Sequence, residues 1–330
     1  MGHEMTIVAP SDRKAFQPVV ADFDRVFMPF LVAREAERAA AFRRSVTVFA
    51  IASIFAAGLA WARPVGDMSV VIAALLAGGG LLIAVREIEK TRRAISIGLI
   101  GRVCDALGLG FSATGARPQS LDRLLEYGLI GPFNREKWED EVRGRHGEAD
   151  FSLVEADLKR VTGSGKSRRV RIIFRGAILA VRYPHAFAGV TLLQRDIGVL
   201  NRLVSPGQAF RQVSLAAPEF ERAYEAWSTD QVEARTLLDP IVLERFQALE
   251  RLFQGKNLRA AFLDGALVLI VDTGDWLNMG SMFKRFDDPE RVGRILREFD
   301  LIFDVIDLVA RPVARSLDGP ISVDAVRMDG

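Results

Sequence analysis

The chain has 330 residues, 49% of them hydrophobic and 26% charged, with 44 basic side chains against 42 acidic. The near balance of charge argues against a nucleic-acid binder that relies on bulk electrostatics. A single cysteine, Cys104, excludes an internal disulfide framework and agrees with a reducing compartment, and the three histidines (His3, His146, His185) lie too far apart in sequence to suggest a zinc site.

Residues 1–44 form an amino-terminal segment. Within it, 11–44 reads as an amphipathic helix with Phe16, Val19, Val20, Phe23, Val26, Phe27, Phe30 and Leu31 at three- and four-residue steps. Pro18 and Pro29 kink or interrupt it. Two charge-free runs follow, Ser45 to Ala62 and Met68 to Val85, each 18 residues long. As helices they span about 27 Å, close to the ~30 Å of a hydrocarbon core. Two such runs separated only by Arg63–Asp67 predict a transmembrane hairpin, spans 45–62 and 68–85.

The flanking arginines and lysines set its orientation. Arg25, Arg34, Arg38, Arg43 and Arg44 precede the first span, and Arg86, Lys90, Arg92, Arg93 and Arg102 follow the second, while the loop has Arg63 alone. By the positive-inside rule both termini face the cytoplasm. Arg43, Arg44, Arg86, Arg92 and Arg93 at the membrane ends are topology determinants that could also hold anionic lipid headgroups. Small residues (Ala52, Ala56, Ala60; Ala73, Ala77, Gly80, Ala84) recur at helical spacing within the spans. They suit close packing of the hairpin against itself, and self-association as a homo-oligomer is compatible with that. Neither span carries an ionisable residue, so nothing suggests a channel or proton relay.

Residues 86–109 continue as a helical stalk ended by Gly108-Leu109-Gly110. Residues 110–311 are enough for one substantial α+β domain, and 312–330 form a tail. Ser120 opens a short helix over 120–127, and the charged stretch 132–148 reads as irregular. Strands are expected at Ser152–Val161, Arg168–Phe174, Ala177–Tyr183 and Val190–Leu193, with turns at Gly163-Ser164-Gly165 and Arg175-Gly176. Helix starts are expected at Ala217-Pro218-Glu219, at Ser228 to Gln231 (a capping box), at Asp239-Pro240 and at Asp288-Pro289. Leu258–Leu263 and Ala266–Val271, joined by Asp264-Gly265, give the strongest hairpin signal. The last helix, 289–310, carries Val292, Ile295, Leu296, Phe299, Ile302, Phe303, Ile306 and Val309 on one face and stops at Arg311-Pro312.

Chemistry-bearing motifs are sparse. Gly163-Ser164-Gly165-Lys166-Ser167 invites a P-loop reading, but Arg160 stands where the first glycine is required, and a strand follows where a helix should. It is better read as a hairpin turn. His185, beside Pro184, reads as a loop residue, and Asp272 and Asp275 as turn residues around Gly274. No nucleophile elbow, HExxH or CxxC is present, and no catalytic residue, metal site or cofactor is expected. The densest polar segment is Ser228 to Arg235, where Asp230, Gln231, Glu233 and Arg235 mark a capped helix or a polar binding surface.

The strings Pro218 to Glu225 and Ser228 to Arg235, with Phe174-Arg175-Gly176, Phe187-Ala188-Gly189 and Gly280 to Phe283, resemble the bacterial membrane-protein family called domain of unknown function 3137. The likeness extends over roughly residues 20–310. It implies a helix, a two-span hairpin and an α+β domain of antiparallel strands packed with helices, held on the cytoplasmic face of the inner membrane. No activity comes with it. The expectation is a non-enzymatic, membrane-anchored domain whose partners are the bilayer, a cytosolic protein or anionic headgroups, and not nucleic acid. The alternative is a membrane-tethered, hydrolase-like enzyme whose catalytic residues the sequence does not reveal.

Overall fold

Proline explains how the chain begins. A computed structural model describes residues 9–182, 186–195, 206–215, 218–252, 256–273 and 285–317. Pro18 and Pro29 sit in the first turns of α1 (Gln17–Ala21) and α2 (Met28–Ala62), where a missing N–H costs no hydrogen bond. The expected amphipathic helix is thus a series: a 3₁₀ turn at Lys14–Phe16, α1, a π turn at Phe23–Phe27, then α2. Phe16, Val19, Phe23, Phe27 and Leu31 are buried along it. α2 and α3 (Met68–Ala106) run unbroken through both apolar runs and into their charged flanks, 35 and 39 residues long.

The described residues divide into two units, one formed by residues up to Leu107 with 285–296, the other by 108–273 with those from Arg297. In the first unit, α2 and α3 place small residues inward and large ones outward. Ala56, Ala73 and Ala84 are buried, whereas Phe55, Ile54, Leu82 and Leu75 are about 70% exposed and Trp61 is 89% exposed. A Cβ added to Gly80 would lie 2.4 Å from the Ala52 Cβ, so the expected stripes do pack against each other. Phe286 is fully buried in this unit; its N–H donates to the Glu35 Oε2 at 2.7 Å. Arg38 grips the same carboxylate through Nε and Nη2 at 2.8 and 2.7 Å.

The second unit is built on one antiparallel sheet. Its strands are β1 (Gly110–Thr114), β2 (Arg135–His146), β3 (Ala149–Thr162), β4 (Arg169–Arg182), β5 (Thr191–Arg195), β6 (Arg211–Val213), β7 (Tyr224–Ser228), β8 (Lys256–Leu263) and β9 (Ala266–Asp272), in the order β1-β2-β3-β4-β9-β8-β5-β7-β6. Leu267 to Val271 are all buried, so the centre of the sheet is covered on both faces. One face holds Val154, Phe174, Ile178 and Ile270 with Leu121 and Leu124 of α4 (Leu121–Glu126). On the other, Phe303 of α8 (Glu290–Leu317) stacks on His146 at 4.1 Å and meets Phe151 edge-on. The remaining helices are α5 (Pro218–Glu221), α6 (Gln231–Leu237) and α7 (Pro240–Leu252).

Several expectations change. The stretch 132–148 is not irregular: it supplies β2, whose charges are paired along the strand (Lys137 with Glu139, Arg143 with Glu141). A bulge between Glu139 and Val142, with Asp140 at φ 40°, hides its period of two. The strands expected at 168–174 and 177–183 fall in one strand, β4 (Arg169–Arg182), without a turn at Arg175-Gly176, Tyr183 lying outside the described residues. Gly176 serves close approach instead, since a Cβ there would lie 2.0 Å from the Val271 carbonyl oxygen. The helix expected at 217–219 lasts one turn before β7. α8 runs past Pro312 to Leu317, because a proline inside a helix, though it loses one hydrogen bond and crowds the carbonyl four residues earlier, can kink a helix without ending it. The Gly163–Gly165 and Asp264-Gly265 turns stand as read. His185, Asp275, Gly280 to Phe283 and 318–330 lie outside the described residues.

Candidate functional site

The polar segment after β7 is a brace for its own fold. Asp230 Oδ1 accepts from the Val232 and Glu233 N–H groups at 2.9 Å each and caps α6, in place of the expected Ser228. Ser228 is fully buried instead, 2.9 Å from the Thr191 Oγ1 across the β5–β7 pair. The Glu233 carboxylate accepts from the Ala188 and Gly189 N–H groups at 2.8 and 2.9 Å, and Thr229 Oγ1 accepts from Val190 N–H. Gln231 donates to the Arg211 carbonyl at 3.1 Å. Of the four residues singled out here, Asp230, Gln231 and Glu233 are engaged within the chain, and only Arg235 points to solvent without a described ion pair. The Phe187-Ala188-Gly189 and Ser228–Arg235 strings are therefore two halves of one hydrogen-bonded corner. A Cβ on Gly189 would lie 2.7 Å from the Thr229 Oγ1.

Of the residues expected at the membrane ends, Arg43, Arg44, Arg86 and Arg93 are exposed, and Arg92 pairs with Glu89 at 2.7 Å, all in the first unit.

A concavity that the sequence did not reveal lies in the second unit. β5 ends at Arg195 opposite Tyr224, the first residue of β7, and α7 and β8 complete a cleft of about 590 Å³ lined also by Gln247, Glu250, Arg251 and Asn257. Its floor is Glu250, only 7% exposed. Arg195 Nη1 donates to both of its oxygens at 3.1 Å, the Tyr224 hydroxyl to Oε2 at 3.1 Å and the Leu258 N–H to Oε1 at 3.0 Å. Burial first, and then the Glu250 charge, push the Tyr224 hydroxyl well above its ordinary range. Tyr224 thus keeps its proton at neutral pH and acts as a donor, not a base. Glu250 falls on the apolar stripe of α7 after Val242 and Phe246, at four-residue steps, and a carboxylate on a buried stripe is the signal that could have found it. The Glu250 carboxylate is thus satisfied within the chain, Arg195 is engaged with it, and Arg251 is exposed at the rim of the cleft.

The architecture defines a class: a single antiparallel α+β domain joined to two helices long and apolar enough to cross a membrane. Residues 172–311, from within β4 to within α8, match the family model described as "Protein of unknown function (DUF3137)", the family the sequence resembles. No curated protein matches the chain. A crystal structure of the mycobacterial trehalose monomycolate transport factor A, TtfA, aligns with 64% of this chain and 92% of its own at 11% identity, with a TM-score of 0.32, too low to transfer a fold or a function.

Proposed function

We propose that this protein is a non-enzymatic module anchored in the bacterial inner membrane by α2 and α3, with both termini and the α+β domain in the cytoplasm. The observation that carries the reading is the inside-out arrangement of the hairpin. Small side chains meet at Ala52 and Gly80 while Ile54, Phe55, Leu75 and Leu82 face outward. A soluble helix pair buries its large apolar residues; a pair in lipid has no need to, and gains from close backbone packing. The absence of any charge from 45–62 and 68–85, against five basic residues on each outer flank, supports the same orientation.

The domain's role in this reading is binding. The cleft described above holds a carboxylate already satisfied by Arg195, Tyr224 and the Leu258 N–H, which leaves it no base to activate a nucleophile. Topology is tested with reporter fusions after Arg44, Asp67 and Thr91, which should read cytoplasmic, periplasmic and cytoplasmic. A periplasmic reading at Thr91 would overturn the hairpin.

A further inference from the structure

Beyond Lys159 the β3–β4 pair outgrows its neighbours. β2 pairs with β3 no further than Arg135 opposite Lys159, and β9 pairs with β4 only over Gly176–Arg182. Residues 160–171 are thus a two-stranded ribbon. The Asn134 side chain fixes its base by bonding both the N–H and the carbonyl of Val161 at 2.8 Å. Its tip is also built: Gly163 has φ 75°, and the Ser167 N–H and hydroxyl both donate to the Ser164 carbonyl, at 3.1 and 2.9 Å.

The two faces of this ribbon differ in chemistry. Directly opposed residues on paired strands share a face. Arg160 opposite Arg171, and Thr162 opposite Arg169, gather three guanidinium groups on one side; Val161 opposite Val170, and Lys159 opposite Ile172, make the other largely apolar. Val170 and Ile172 are 54% and 55% exposed. Lys166 and Arg168 extend the positive charge around the turn. No Asp or Glu occurs from Leu158 to Arg195, and among the described residues none of Arg160, Lys166, Arg168, Arg169 and Arg171 has an ion-pair partner. Like charges placed directly opposite destabilise a strand pair, so the Arg160–Arg171 pairing is costly until an anion meets it.

We propose that the 160–171 ribbon is a membrane-binding arm that recognises an anionic phospholipid surface, with its arginines on headgroup phosphates and Val170 and Ile172 in the acyl boundary. Nucleic acid would use the basic face but gives the exposed apolar face nothing to bury, whereas a bilayer interface uses both. Covalent attachment to α2 and α3 raises the concentration of bilayer the arm meets. The inference rests on the anchoring proposed above.

The test uses the full chain in nanodiscs, with Ser164→Cys carrying an environment-sensitive fluorophore. Cys104 is buried and its thiol is pushed up to about 12 by that burial, so it stays protonated and unlabelled. In discs containing phosphatidylglycerol the emission should shift to shorter wavelength and be quenched by a lipid-borne quencher. Both effects should be absent in phosphatidylcholine alone. They should also be lost in the quadruple variant Lys166→Gln, Arg168→Gln, Arg169→Gln, Arg171→Gln, whose sites are all exposed, and on raising the salt from about 0.1 M to about 1 M, which shrinks the screening length from about 10 Å to about 3 Å. Failure of the chain to enter nanodiscs would defeat the anchoring. Incorporation with emission blind to lipid charge, or a shift produced by an added RNA oligonucleotide and not by anionic lipid, would overturn the arm.

Discussion

Glu35 of α2 ties down the segment just ahead of α8. Its carboxylate accepts from both Arg38 and the Phe286 N–H, ten residues ahead of the first apolar span. The Arg38 hydrogen bond, against a smaller desolvation cost, holds its pKa below the ordinary carboxylate value, and Arg285 does the same for Asp287. A depressed folded-state pKa stabilises the folded form fully above the unfolded value, about 4.3 for Glu, and that contribution is lost as pH falls through the folded one. Glu35→Gln should therefore lower thermal stability at neutral pH and flatten its decline below about pH 4. Melting curves of the full chain in detergent across that range check it, and an unchanged acid slope would remove Glu35 from the account. The Phe286 N–H that Glu35 binds lies 251 positions away, and no local pattern reports such a pairing.

Among the elements, the helical hairpin and the sheet were legible to different degrees. Helix spacing and the proline positions are local properties, so α2, α3 and the small-residue stripes could be read directly. The Gly80 contact gives this a measurable form. Gly80→Ala pushes a methyl into the Ala52 Cβ, whereas Gly79→Ala has nothing within 4 Å. Gly80→Ala should destabilise the hairpin by about 1–3 kcal/mol as overpacking does. Gly79→Ala should be neutral or stabilising by up to about 1 kcal/mol, from helix propensity alone. Thermal melts of the two variants decide it; equal effects would mean the helices do not approach at this turn. In the sheet, by contrast, β2 escaped reading because its bulge breaks the alternation and charges on it pair with neighbours along the strand. β4 was divided at Arg175-Gly176 because a glycine required by close approach resembles one required by a turn.

At the scale of the molecule, α8 contributes residues to both units, 290–296 to one and those from Arg297 to the other. Its stripe was read from three- and four-residue spacing, and Ile295, Leu296, Phe299, Ile302 and Phe303 are all buried to within 2%. Phe299→Ala should cost about 3–5 kcal/mol, the range for a truncated core Phe, and Arg297→Ala, on the exposed face, far less. Chemical denaturation of the full chain measures both, and equal small losses would show that the stripe is not core.

The sequence by itself determined the two apolar spans, their flanking charge, the Asp264-Gly265 hairpin, the core face of α8 and the absence of familiar catalytic motifs. Each depends on residues within one helix and its flanks, one strand or one tight turn. Tertiary structure alone decided three further features. Strand order set β9 between β4 and β8, so that Gly176 had to be small. Folding β5 against β7 and α7 brought Arg195, Tyr224 and Glu250 into one cleft. The differing lengths of β2, β3 and β9 left the Gly163–Ser167 turn at the end of a bare, two-faced ribbon rather than inside the sheet. These follow from which segments pair across long stretches of chain, and pairing energy is shared among partners whose identities no single segment records.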